Sequence, residues 1–209
     1  MTIKLYDYAL SGSCYKVRLM LDFLGLDYEK VVINFYPLRE HKTLDFLDIN
    51  PLGQLPVLED GDLRLRDAQA ILCYLAKAYD KSGQWLPEDP SAFGQVMMWL
   101  SFAGGEIMAA SAARLHDTLG YDLDIDKARS DARAAFRVLD DHLTTRHRQG
   151  KTWIVGDNPT VADIACFPYV ALSGDGGIGH EEFPALRNWM RAFRRLPDFD
   201  PISGVPEFA

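Results

Sequence analysis

The chain has 209 residues, enough for a sizeable core and one or two domains. With 48% hydrophobic and 25% charged residues, a disordered or low-complexity chain is excluded. A formal net charge of −8 and the lack of a basic stripe give no electrostatic support for a nucleic-acid partner.

The N-terminal stretch "TIKLYDY" reads as a strand, and "CYKVRLMLDFLGL" as a helix ending at Gly25. "DYEKVVINF" is a second strand and "KTLDFLDIN" a short helix. "LPVLED" and "DLRLRD" form a hairpin, because Glu59-Asp60-Gly61 is a turn signal between two apolar runs. "AQAILCYLAKAYD" places Ala70, Ile71, Tyr74, Leu75 and Ala78 on one helical face. The order β-α-β-α-β-β-α predicts a small α/β domain over residues 1–81, with its first two strands parallel. A Pro/Gly-containing linker follows at 82–90, and then the strand signals stop. Helical patterns at about 91–115, 125–148, 160–172 and 183–195 predict an all-helical domain over 91–209.

The start of the chain lacks an apolar signal core, and no run reads as the ~18 apolar residues of a membrane span. Cys14, Cys73 and Cys166 are odd in number and widely spaced, which reads as free thiols in a reducing cytoplasm. His142 and His147 do not share a helix face, so no metal site is expected. "GDGGIG" (174–179) matches a dinucleotide-binding pattern, but it follows a helix rather than a strand and reads as a flexible loop. Thr160-Val161-Ala162-Asp163 is a capping-box pattern whose expected role is helix nucleation.

"NPLGQLPVLEDGDLRLRDAQAILCYLA", from Asn50 to Ala76, resembles the glutathione S-transferase superfamily. The match is N-P-L-G-[KQ]-x-P-x-L-x-D-G, then an acidic residue opening an A-I-L-x-Y-L-A helix. The resemblance implies a thioredoxin-like α/β domain joined to an all-α domain, glutathione as co-substrate, and a homodimer acting in detoxification of a small electrophile. It implies a cis Leu55–Pro56 bond, with the Leu55 backbone holding the cysteinyl part of glutathione and Gln54 touching the same peptide. Asp67 and Ala68 open the next helix, whose free N–H groups and positive dipole end would take the γ-glutamyl carboxylate. The family usually has serine where this chain has Ala68, which removes one hydrogen bond to a charged group; Gln69 or another chain would have to replace it. Asp67 also reads as a plain N-cap. His41 and Lys42 are similar to an "H-K" stretch in theta-class members that faces the glycyl carboxylate.

The theta and zeta classes carry a serine at the mouth of the first helix, and Ser11 matches it by position. Its hydroxyl would donate to the glutathione thiolate, lowering a thiol pKa of about 8.5. Ser13 is the alternative under a different alignment, or else the helix N-cap. Cys14 offers a third reading, a mixed disulfide with glutathione and thiol–disulfide chemistry. Tyr6 and Tyr8 are further candidates, since the tyrosine classes place their residue nearby. The electrophile pocket is expected between the domains, with Phe102, Glu106, Ala109 and Ala113 on its wall or merely packing helices together. Ala68 keeps open a non-catalytic interaction module with a degraded pocket.

Overall fold

A computed structural model describes residues 2–202, so the last seven residues of the expected 91–209 segment lie outside the described region. The first half runs β1 (Ile3–Asp7), α1 (Gly12–Phe23), β2 (Tyr28–Val32), α2 (Leu44–Ile49), β3 (Val57–Asp60), β4 (Leu63–Leu65) and α3 (Ala68–Tyr79). The order is the one expected, with an added 3₁₀ turn at Glu40–Lys42. The sheet is ordered β2-β1-β3-β4; β1 and β2 are parallel, and the other pairs are antiparallel.

In β1, Ile3, Leu5 and Asp7 are buried and the residues between them are not, the period-2 pattern of a strand with one covered face. Asp7 ends the strand with a buried carboxylate that pairs with Arg18 of α1. Arg18 also donates to the Ala9 carbonyl at 2.9 Å. This pair pins the turn between β1 and α1, and thereby the first turn of the helix.

The second half contains α4 (Pro90–Gly104), α5 (Met108–Leu119), α6 (Ile125–Arg148), α7 (Val161–Ala171) and α8 (Pro184–Phe193). The single helix expected over 91–115 is two helices. Gly105, with φ −112° and ψ −95°, leaves the helical region, and Ile107 is buried at the corner. Two successive glycines hold a helix weakly, by about 1 kcal/mol each relative to alanine, so burial at the corner decides the path. By length and composition alone, Pro90–Leu119 would pass as a membrane span. Here it forms two bundle helices, with Val96, Trp99, Leu100 and Ala103 of α4 in the core.

One hydrophobic core runs through both halves, since α7 is buried along its length and packs on α1, α3 and α4. The stretch 82–90 is fastened rather than free. Trp85 stacks on Phe23 at 5.1 Å between ring centres, and its carbonyl accepts from the Val161 N–H at 2.9 Å. The capping box is present: Thr160 caps α7, and the Asp163 carboxylate accepts from the Thr160 N–H at 2.9 Å. The "GDGGIG" stretch is no loose loop. Its first part is a 3₁₀ turn, Ser173–Gly176, seated on α5 so closely that a Cβ on Gly176 would stand 2.7 Å from the Arg114 nitrogen.

Candidate active site

Ser11 is the N-cap of α1. Its Oγ accepts from the Cys14 N–H at 3.2 Å. A hydroxyl that accepts at a cap still has its own O–H to donate, and the Cys14 thiol is its neighbour inside the protein. Ser11, Gly12 and Ser13 line a cleft of about 640 Å³ between the two halves of the molecule. Ser13 is not the N-cap; it lies inside α1, and its Oγ sits 2.6 Å from the Tyr169 hydroxyl of α7.

Gln54, Leu55, Pro56, Asp67 and Ala68 line the same cleft. The Leu55–Pro56 bond is cis, as is Tyr36–Pro37. Asn50 is buried, and its side-chain amide donates to the Gln54 carbonyl at 2.8 Å, fixing the approach to Leu55. Asp67 is the N-cap of α3 and accepts from the Ala70 N–H at 2.8 Å, while Ala68 is the first helical residue. The cleft therefore meets the N-terminal ends of both α1 and α3, where unpaired N–H groups favour an anion. Gln69 also lines the cleft and lies over Gly104 of α4, whose added Cβ would stand 2.9 Å from the Gln69 amide nitrogen.

Of the other sequence candidates, only Tyr8 lines the cleft among the described residues. Cys14 is fully buried, and burial pushes its thiol up to about 12. A reactive cysteine needs the opposite surroundings, exposure and a depressed pKa; the structure does not present Cys14 as a nucleophile. Tyr6 donates to Glu59 at 3.2 Å and is outside the cleft, whereas Tyr8 lines it. His41 is buried and stacks on Phe35 at 4.0 Å, and Phe35 stacks in turn on Tyr8 in the cleft wall. Burial, then Lys42 and Arg39, hold the His41 pKa below the usual imidazole value. The Lys42 ammonium donates to the Gly53 and Leu52 carbonyls at 2.8 and 3.2 Å. Neither His41 nor Lys42 lines the cleft.

The far wall comes from the helical half, and from different residues than expected. Phe102, Glu106, Ala109 and Ala113 do not line it; Met108, Ser111, Leu115 and Thr118 do. Their spacing is that of one helix face, set by the fresh start of α5 at Met108 rather than by continuation of α4. Arg114 also lines the cleft. It donates to Asp175 at 2.9 Å and, across the cleft, to the Leu10 carbonyl at 2.7 Å. Tyr169 was invisible in the sequence because it sits in an apolar helical run that reads as core.

Comparisons with known proteins agree with this architecture. The description "Glutathione S-transferase, N-terminal domain" matches residues 1–77, and "Glutathione S-transferase, C-terminal domain" matches 109–192. A glutathione S-transferase of Hyoscyamus muticus is 30% identical over 170 residues, 78% of this chain and 79% of that one. A solved glutathione S-transferase from Pseudomonas fluorescens superposes with a TM-score of 0.86 at 29% identity, covering 96% of this chain and 98% of its own. Ure2p in complex with glutathione gives 0.85 at 25% identity, covering 94% and 96%. With a thioredoxin-like domain followed by a helical domain, this chain belongs to the glutathione S-transferase superfamily.

Proposed function

We propose that the chain is a serine-type glutathione transferase that binds glutathione in the cleft and promotes attack of its thiolate on a small electrophile. The carrying observation is that Ser11, Gln54, Leu55, Asp67 and Ala68, contributed by separate segments, face one cavity at the N-terminal ends of two helices. Glutathione would run its cysteinyl backbone along Leu55 and set its γ-glutamyl carboxylate at the first turn of α3. The Asp67 carboxylate beside that turn suits the α-amino group. The sulfur would then lie at Ser11, whose O–H turns from the Cys14 thiol to donate to the thiolate. One hydrogen bond to a charged acceptor contributes roughly 1.5–3 kcal/mol, or about one to two pKa units. The helix N-terminus adds to it. The electrophile would occupy the α5 side of the cleft.

The reading extends to a cytoplasmic homodimer with a role in detoxification. The free cysteines suit a reducing compartment, and the exposed Leu52, Phe93 and Met98 are apolar surfaces that a second copy would cover. Ala68, in a position where serine is expected, keeps one rival alive: a module that holds glutathione weakly or not at all and does no chemistry. Titration calorimetry with glutathione, followed by conjugation to a halonitroarene, separates the two. The transferase reading expects saturable binding and turnover, and Ala68→Ser should tighten glutathione by roughly tenfold by restoring one hydrogen bond to a carboxylate. Absence of binding by the wild-type chain would overturn it.

A further inference from the structure

Ser11 ends a turn that the hydrophobic core does not hold. Ala9 and Leu10 are both exposed, Leu10 to 43% despite its apolar side chain. With little burial to fix it, the turn depends on its hydrogen bonds. The Ser11 N–H donates to the Tyr8 carbonyl at 2.9 Å and closes the turn. The two carbonyls inside it are each taken by an arginine that is itself oriented by an aspartate. Arg18 of α1 donates to Ala9 at 2.9 Å and pairs with the buried Asp7. Arg114 of α5 donates to Leu10 at 2.7 Å and pairs with Asp175 at 2.9 Å. The first clamp is local. The second comes from the other half of the molecule and grips the residue directly before Ser11.

Arg114 is held in its turn by the "GDGGIG" stretch. Asp175 belongs to the 3₁₀ turn Ser173–Gly176. Gly176 lies against the backbone of α5, where a Cβ would stand 2.7 Å from the Arg114 nitrogen and 2.9 Å from the Ala113 carbonyl carbon. Only a residue without a side chain fits there, and that approach sets Asp175 beside Arg114. From the outer side, Arg129 of α6 donates to the Gly176 carbonyl at 3.0 Å. A guanidinium presents its donors in a rigid fork, so a carboxylate that holds Nε also aims Nη1, here at the Leu10 carbonyl.

We infer that Arg114 is a positioning residue for Ser11: seated by Asp175 and the glycine-rich turn, it fastens from the helical half the exposed turn that aims the Ser11 hydroxyl at the glutathione thiolate. The inference rests on the serine reading and deepens it. A donor at a reacting atom tolerates a drift of only about 0.5 Å or 10–20°. Released from Arg114, the turn gains freedom, and the hydroxyl stays with its cap and the Cys14 thiol. The charge of Arg114 is not the agent, because Asp175 beside it offsets that charge at the distance of the sulfur.

The test is ultraviolet titration of bound glutathione on wild type, Arg114→Met, Arg114→Lys, Asp175→Ala, Ser11→Ala and the double variant Ser11→Ala with Arg114→Met, with glutathione affinity measured on each. Arg114→Met should raise the pKa of the bound thiol by about one unit, while glutathione affinity falls by less than about threefold. Arg114→Lys should recover at least half of that shift, since an ammonium can still donate to Leu10. Asp175→Ala should move the thiol in the same direction by a smaller amount. In the Ser11→Ala background, Arg114→Met should add less than about 0.3 unit, because it acts through the serine. A thiol unmoved by Arg114→Met overturns the inference. So does an undiminished shift on top of Ser11→Ala, which would mean a direct effect of charge. If Arg114→Met loses glutathione altogether, Arg114→Lys and Asp175→Ala decide by the same two criteria. If Ser11→Ala itself leaves the thiol unmoved, the serine reading fails, and the inference with it.

Discussion

Lys16 is costly at the residue scale, being fully buried with no hydrogen-bond partner for its ammonium among the described residues. Burial lowers its pKa from the usual lysine value to about 8. A base with a folded pKa below its unfolded value destabilises the fold fully while both states are protonated. The cost is relieved as pH rises from about 8 towards the unfolded value of about 10.4. Its size is on the order of 3 kcal/mol. Lys16→Met should thus be more stable than wild type at neutral pH, and the difference should shrink as pH rises through that window. Thermal melts of both proteins across the range check this, and taking the difference cancels the tyrosines and cysteines that titrate alongside. Ser11, the proposed thiolate partner, was nameable in the sequence through the resemblance, whereas its place as N-cap was not, since Ser13 was the cap candidate. The contact between Lys16 and the Tyr169 ring was not nameable either. A lysine in a helix reads as solvated and a tyrosine in "CFPYVAL" reads as core, and only the packing of α1 on α7 joins them.

Among the elements, the contact of α1 with α7 is a tight constraint near the site. Gly12 is required there by space. Gly12→Ala would press a methyl into the Tyr169 ring at 2.7 and 3.0 Å, so the ring must move or the helices part. The expected loss is about 1–3 kcal/mol, measured by urea unfolding. Unaltered stability would mean that the ring moves aside freely. The strands and the hairpin were readable because their alternation and the turn at Glu59-Asp60-Gly61 are local signals. The corner between α4 and α5 was not. Gly104 and Gly105 sit in an apolar run that a periodicity argument carries straight through, and the gain from burying Ile107 is a tertiary effect. Missing that corner shifted the phase of the helix and placed the wrong residues, Phe102 and Ala109 among them, on the cleft wall.

At the scale of the whole molecule, the site exists only because two halves share one core. The sheet-bearing half supplies Ser11, Leu55 and the N-terminus of α3; the helical half supplies the opposite wall and an arginine, Arg114, that reaches back to Leu10. The first set lies in segments whose own sequence carries a pattern, so it was nameable in advance. The second depends on how α5 and α7 dock, which no single segment encodes. His41 and Lys42 were named through the resemblance alone, and only the folded chain shows that His41 is buried against Phe35 and that the Lys42 ammonium donates to the carbonyls of Leu52 and Gly53. The central claim is that Ser11 lowers the pKa of a bound thiol, and ultraviolet titration of the glutathione thiolate on wild type and Ser11→Ala tests it most directly. The wild type should ionise bound glutathione roughly one to two units below the free value of about 8.5, and Ser11→Ala should return it most of the way while still binding the tripeptide. A Ser11→Ala protein whose bound thiol titrates like the wild type would contradict the account.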